Sequence, residues 1–361
     1  MIDQTLVLPW QDLHEFAKRV FVRVGMPEQD AIAEADTLMW ANLRGVDSHG
    51  VVRIPWYVGN VHNGIMNPTP DIRVTVETPA IALIEADRAF GPVVTNRAAD
   101  MAVEKARGVG IGWILIRNHT HQGTMGQYVQ RIANHDMVGL IFVCSRPNTA
   151  PFGARAAGVS NNPVGLSAPA ARHPHLILDM ATSLVAMGKV LVARERGESI
   201  PVGWGLDENG DPAIDPQTLA TLLPVGGPKG SGMSLLFECM GSVMVSNPML
   251  LPVLSGELSG GKTAGHVGRM ARHNQNSVVA AIDVSRFIDV KEYKAQVDLL
   301  IDRLKELPRA EGFDEILMPG EREELCYAKR KEAGIPVPPA TIAGLKKVAE
   351  DLDVEFIRGV A

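Results

Sequence analysis

Three short stretches of this chain carry side chains of the kind that move protons and hold anions. The first, RGVDSHGVVRIPWY over residues 44–57, sets Ser48 beside His49, with Arg53 and Tyr57 following at intervals of four. Proline is tolerated in the first turn of a helix, where an N–H would be unpaired anyway, so Pro55 predicts a helix that begins near Gly50 and runs to Gly64. Ser48 and His49 then stand at its N-terminal end. The helix dipole there disfavours imidazolium and holds His49 partly neutral, able to exchange a proton near neutral pH. Arg53 lies one turn on, with a guanidinium fork that matches a carboxylate, and Tyr57 one turn beyond. Together they describe a proton-transfer site that reads a carboxylate; the plainer reading has Ser48 capping the helix and His49 and Arg53 in solvent.

The second stretch, RNHTHQGTMGQY over residues 117–128, follows the strand-like run IGWILI. His121, Gly123 and Thr124 fall where a strand turns into a helix, a place where backbone amides can face an anionic group. His119 and His121 could also be read as a metal pair. No carboxylate or third histidine accompanies them at a suitable spacing, and His173 and His175 flank a proline in a loop, so no metal is expected. The third stretch, GGPKGSG over residues 226–232, opens an apolar helix. Its glycines allow close backbone approach and Lys229 can meet a phosphate or carboxylate, though a structural turn with an exposed lysine explains the motif nearly as well. PGERE, residues 319–323, reads as an ordinary loop before a helix.

One further match competes with these. GELSGGKT, Gly256–Thr263, satisfies the P-loop pattern, and VVAAIDV resembles the strand that accompanies one. Against it, NPMLLPVLS places two prolines where a buried parallel strand is required, and too little chain follows to wind the sheet of such an NTPase. No G-x-G-x-x-G follows a strand either, so the usual dinucleotide fingerprint is missing.

The elements that must position these residues show as periodicities. Leu13, Phe16, Ala17 and Val20 recur at turn spacing, and a second helix rich in Ala, Glu and Leu follows Pro27–Asp30. Between residues 71 and 143 the runs IRVTVE, AIALIEA, IGWILIR and MVGLIFV alternate with helical stretches at 96–107 and 125–134, which predicts a mixed α/β core. Residues 147–174 read as ordered loop with short strands; LILDMATSLVAMGKVLVARERG passes from strand to helix, and Asn209-Gly210 marks a turn. An apolar helix covers residues 233–245, the Gly- and Ser-rich residues 254–268 suggest a flap, and SVVAAIDV gives a last strand before an amphipathic helix over 293–307.

Composition narrows the class. At 361 residues the chain predicts roughly two domains, and 46% hydrophobic with 21% charged residues is the balance of an ordinary folded enzyme. The net charge of −6 is spread along the chain without a Lys/Arg-rich run, which argues against nucleic acid as a partner. Three distant cysteines, Cys144, Cys239 and Cys326, suggest neither a disulfide framework nor a zinc site and suit a reducing cytoplasm. The N-terminus does not read as a signal peptide, and no apolar run is long enough to span a membrane.

In this order, RGVDSHGVVR, NHTHQGTMGQY, APFGARAAGVSNNPVGLSAP, LDMATSLVAMGKV, GGPKG and PGE resemble the malate/L-lactate/ureidoglycolate dehydrogenase family, whose fold is unrelated to Rossmann dehydrogenases. The resemblance spans nearly the whole chain. It implies an α/β fold with a non-Rossmann mixed β-sheet NAD(P)-binding domain, residues 76–284, and a discontinuous helical domain, residues 1–75 with 285–361, assembled as a homodimer. It implies hydride transfer between a nicotinamide cofactor, NAD with NADP not excluded, and C2 of a small 2-hydroxy or 2-oxo acid. Ser48, His49 and Arg53 would form the substrate site, with His49 or His121 as acid/base and Tyr57 helping Arg53 to hold the carboxylate. His121, Gly123, Thr124, Ser145, Asp179, Met180, Ala181, Lys229, Gly230, Gly320 and Glu321 fall where that family contacts its cofactor.

Two departures from the family pattern bear on the substrate. Gln122 stands where many members have an aromatic residue, which predicts a hydrogen-bonding pocket wall. Lys189 stands where the branch that reduces cyclic imino acids has an acidic residue, so the hydroxy-acid branch is expected over imine reduction.

Overall fold

The structure is a computed structural model that describes residues 5–257 and 274–357. Most of Gly256–Thr263 and of the expected flap lies outside these residues. The segment before the P-loop match is not a strand, because Leu251–Leu254 forms a short helix.

Strand β1 (Leu6–Leu8) pairs antiparallel with β11 (Ile335–Val337), bringing residues near the two ends of the chain together. Around this pair lie α1 (Trp10–Arg23), α2 (Glu28–Leu43), α3 (Ile54–His62) and α11 (Pro339–Leu352). Their apolar stripes meet in one cluster that includes Phe16, Phe21, Leu38, Ile54, Tyr57 and Leu345. The turn-spaced residues Leu13, Phe16, Ala17 and Val20 are all fully buried there, as the periodicity of α1 requires.

A seven-stranded sheet forms the rest of the core, in the order β2 (Arg73–Glu77), β3 (Ile81–Glu85), β4 (Ile111–His119), β10 (Gln275–Asp283), β5 (Met137–Cys144), β6 (Val164–Ala168), β7 (Leu176–Met180). Only β3 and β4 run parallel; every other neighbouring pair is antiparallel. A doubly wound nucleotide-binding sheet would be parallel around its centre. Here the central strand β10 is antiparallel to both neighbours, so the sheet is mixed and non-Rossmann, and VVAAIDV is no companion to a P-loop.

Helix α4 (Gly91–Val109) lies on this sheet through Ala98, Ala99, Ala102 and Ala106, all fully buried. Alanines let the helix come close, and a Cβ at Gly112 on β4 would stand only 2.1 Å from the Ala102 carbonyl oxygen. Helix α5 (Gly126–Ala133) packs beside it, and α7 (Pro228–Gly241) covers part of the opposite face, stacking Phe237 on Phe142 at 4.3 Å. The strand-to-helix passage predicted at LILDMATSLVAMGKVLVARERG is β7 followed by α6 (Met187–Arg196). The amphipathic helix expected at 293–307 is the longer Val290–Lys305, capped by Asp289, whose carboxylate accepts the N–H groups of Lys291 and Glu292.

Candidate active site

The helix predicted from Gly50 begins only at Ile54, with Pro55 in its first turn. Two single 3₁₀ turns, Asp47–His49 and Val51–Arg53, precede it. Ser48 and His49 are therefore not at the end of the helix, and the helix dipole is not what sets their protonation. Side chains from distant parts of the chain hold this segment. Asn42 on α2 accepts the Val51 N–H at 2.8 Å and donates to Asp47 at 2.6 Å, while Arg330, on helix α10 (Glu321–Ala333), grips both Asp47 oxygens at 2.7 and 3.0 Å.

Within the segment, Ser48 Oγ lies 3.0 Å from His49 Nδ1, and Arg53 Nε donates to the Ser48 carbonyl at 2.6 Å. Burial, together with the adjacent Arg53 charge, pushes the His49 imidazole down to about 4, so it is neutral at physiological pH. Among the described residues no acceptor is bonded to the two terminal nitrogens of Arg53, which leaves the fork able to take a carboxylate.

His121 arrives from the end of β4 and faces this group. Its ring stacks on that of His49 with centroids 5.5 Å apart, and Trp56 closes edge-on at 5.5 Å. Tyr57, expected to help hold the substrate, is instead buried at 1% exposure, its hydroxyl 2.7 Å from His121 Nδ1. The Gly123 N–H also points at that nitrogen, at 3.3 Å. Tyr57 thus orients the histidine from behind rather than touching the cavity. Gln122 does line the cavity, but its amide nitrogen is committed inward, donating to Thr95 at 2.5 Å and to Ser277 at 3.0 Å.

The turn is held by a close approach. A Cβ on Gly91 would lie 2.4 Å from the His121 carbonyl oxygen and 2.5 Å from Gln122 Cα, both backbone atoms that cannot move aside cheaply. Gly123, with φ of 73°, supplies the left-handed step that re-aims the chain into α5. Gly91→Ala is accordingly expected to lower the melting temperature and to cut turnover by about 10²-fold through displacement of His121; paired thermal-melt and initial-rate measurements check both.

These groups open onto a single cavity of about 1030 Å³. Ser48, His49, Arg53, His121, Gly123 and Thr124 line one part; Ser145, Asp179, Met180, Ala181 and Gly320 line the rest. Asp179 accepts the Gly126 N–H at 2.8 Å, and although it is open to the cavity, its surroundings push the carboxyl up to about 6. Three of the expected contacts do not reach this wall. Lys229 is exposed at the start of α7, Gly230 packs beneath the Val225 and Thr182 carbonyls, and Glu321 braces the turn before α10 by pairing with Lys305 at 2.6 Å.

Other residues on the wall were given no role in the site by the sequence. Arg44 is pressed between Trp40 and Tyr327, 4.5 Å from each ring centroid, and pairs with Glu324 at 3.1 Å. His173 and His175 also line the cavity, the first bonded to Asp302 at 2.8 Å and the second accepting the Ala170 N–H at 3.1 Å. Only an aromatic spacing around Arg44, from Trp40 four residues earlier, could have hinted at this part of the site.

Comparison with known proteins accords with this arrangement. The chain is 35% identical to a malate dehydrogenase of Pyrococcus abyssi, over 98% of its own length and 97% of that protein's. It is 29% identical to an Escherichia coli protein named ureidoglycolate dehydrogenase (NAD(+)), over 91% of each. The solved sulfolactate dehydrogenase of Methanocaldococcus jannaschii superposes with a TM-score of 0.85 at 33% identity, covering 97% of this chain and 98% of that one. A family model described as malate/L-lactate dehydrogenase matches residues 8–346, and with the mixed sheet and the histidine-arginine cavity this places the chain in the malate/L-lactate dehydrogenase family.

Proposed function

We propose that this chain is a nicotinamide-dependent dehydrogenase that interconverts a small 2-hydroxy acid and its 2-oxo acid. The observation that carries the reading is the convergence of the Arg53 fork and two facing imidazoles on the wall of one large cavity. At about 1030 Å³ that cavity is at the upper end of the range for small-molecule sites, room for a cofactor beside a small acid. Ser145, Met180, Ala181, Gly123, Thr124 and Gly320 would hold the cofactor, whose nicotinamide accepts or supplies the hydride at C2.

Arg53 fixes the substrate carboxylate, so that one face of C2 is presented. His121 takes the hydroxyl proton in oxidation and returns it in reduction. It is chosen over His49 because His49 is held neutral beside Arg53, whereas His121 has the Tyr57 hydroxyl at its rear nitrogen. His49, steadied by Ser48, bonds the substrate oxygen without changing charge. NAD is taken as the cofactor on two grounds: Glu323 and Glu324 on the cavity wall are poor company for an additional phosphate, and one relative carries NAD(+) in its name.

The test is consumption of NADH and of NADPH, followed by absorbance, with a panel of 2-oxo acids and cyclic imino acids. Turnover of a 2-oxo acid is expected; folded protein that turns over none of them, or only imino acids, overturns the reading. Lys189, exposed on α6, provides no carboxylate for imine chemistry.

The division into a helical domain and a sheet domain, residence in the cytoplasm and a homodimer are part of the same proposal. No helix among the described residues is long and apolar enough to cross a membrane. Along residues 235–254 a run of large apolar side chains faces outward, with Leu236 62%, Met244 63% and Leu251 62% exposed. Such a patch is unusual on a monomer. Leu236→Glu is expected to shift the protein from dimer to monomer in sedimentation velocity.

A further inference from the structure

Helix α9 (Val290–Lys305) plays no part in the reading above, yet one face of it is tied to the cavity wall at three points. Asp298, 3% exposed, accepts three consecutive backbone N–H groups from the loop that joins β6 to β7: Ala171 at 3.2 Å, Arg172 at 2.9 Å and His173 at 3.3 Å. One turn on, Asp302 bonds the His173 ring at 2.8 Å and the Arg172 guanidinium at 2.5 Å. Lys305 pairs with Glu321, whose second oxygen accepts the Met318 N–H at 2.8 Å. Positions 298, 302 and 305 fall on one face of a helix. Beside them Val297 and Ile301 pack with Ala170, Leu176 and Met318 in a small apolar cluster of their own.

Both tied segments are cavity wall: Ala171, His173 and His175 line it from the loop, and Met318, Pro319 and Gly320 from the turn before α10. The two are joined through β7, where the Ile177 N–H donates to the Pro319 carbonyl at 3.0 Å. Sheet register shows which part of the cavity this is. Met180 on β7 pairs with Val164, and Val164 with Phe142 on β5; two residues on, Cys144 pairs with Asn276, whose neighbour Gln275 pairs with His119. Met180 therefore stands near the strand end that carries His121. Leu176, where the loop enters β7, lies four residues back, about 13 Å along the strand. Hydride transfer puts the nicotinamide beside His121, so the adenosine half of the cofactor extends along β7 toward the loop and the turn.

We propose that Asp298 is a positioning residue for the cofactor: by holding the amides of residues 171–173 it fixes the stretch of wall against which the adenosine half lies. This rests on the reading of the cavity as a dinucleotide site. Among the described residues no backbone carbonyl takes those three N–H groups, so the loop owes its shape to this one side chain. Burying a carboxylate is costly unless it is fully bonded, and three amides with the Arg172 guanidinium at 3.6 Å meet that condition. The Asp302 and Lys305 contacts are more exposed and contribute less. Asp298 touches neither substrate nor cofactor, and it acts only through the loop.

The experiment measures the dissociation constants of NADH and of ADP-ribose, which lacks the nicotinamide, by fluorescence titration and competition without substrate. In parallel, kcat for a 2-oxo acid is measured at saturating cofactor. Asp298→Asn keeps the side-chain shape but sets an NH₂ group against the loop amides. Both constants are expected to rise together by about tenfold, with kcat and its pH profile within about twofold of wild type. A folded variant that binds both ligands as wild type does overturns the proposal. So does one in which the NADH constant rises without that of ADP-ribose, or in which kcat falls while both constants hold. Should the variant not fold, hydrogen exchange in wild type decides: ADP-ribose should slow exchange of the amides of residues 171–173, and unchanged exchange overturns the proposal. Wild type that binds NADH but reduces no 2-oxo acid defeats the substrate reading alone, because the binding constants still report on Asp298; wild type that binds neither ligand overturns both.

Discussion

Replacement of Arg53 by leucine is expected to lower kcat/KM for 2-oxo acids by about 10³-fold or more. The guanidinium is half-buried between the Ser48 carbonyl and the ring of Trp56, whose centroid lies 5.6 Å from Arg53 Cζ. Its loss leaves the substrate carboxylate unpaired in a cavity from which water is partly excluded. It also frees the Ser48 carbonyl and loosens the seat of His49, so kcat should fall along with a rise in KM. The Arg53 charge also helps to keep His49 neutral, and without it the His49 titration should move upward. Lysine cannot rescue the enzyme, because one ammonium cannot both hold the Ser48 carbonyl and present a two-point fork. Steady-state kinetics on a 2-oxo acid and on the matching ketone separates the effects: the ketone should lose far less, and equal losses on both would remove the carboxylate role from Arg53.

Replacement of His121 by asparagine should lower kcat by about 10²–10⁴-fold, the range of a general acid/base, with a much smaller change in KM. Asparagine can still bond the Tyr57 hydroxyl, so the turn from β4 into α5 should survive. In wild type, oxidation needs the neutral imidazole and falls as pH drops through its titration, while reduction needs the protonated form and falls as pH rises. Both limbs should vanish in His121→Asn. If His49→Asn abolishes the pH dependence and His121→Asn does not, the assignment of the two histidines is reversed.

The sequence was most informative where chemistry and local geometry coincide. Strand β4, the turn at His121–Gly123 and the pairing of Ser48 with His49 all follow from short-range patterns, and the fold class followed from the succession of short strands and helices. What it did not show is which way side chains turn. Tyr57 is expected at the substrate from its place one turn beyond Arg53, and Gln122 as a polar wall from its place in the family's histidine motif, yet the Tyr57 hydroxyl turns inward to orient His121 and the Gln122 amide nitrogen turns inward to Thr95 and Ser277. The late start of α3 has a similar cause. Pro55 fixes only the first turn of a helix, and the segment before it is shaped by Asn42 and Arg330, the latter nearly three hundred positions away in the chain. Arg44 between Trp40 and Tyr327 is likewise a product of tertiary contact, with half of its aromatic sandwich supplied by α10.

The placing of β10 has a consequence for how the protein is made. Residues 275–283 emerge from the ribosome long after β4 and β5, at 111–119 and 137–144, yet they lie between those two strands. Until they arrive, two apolar strand edges have no partner, a state that invites wrong pairing with other chains. Closing the sheet also means joining segments far apart along the polymer, which is slow. Nascent chains stalled before residue 275 should therefore depend on chaperones and be readily digested, becoming resistant only once the last strand has threaded into the middle.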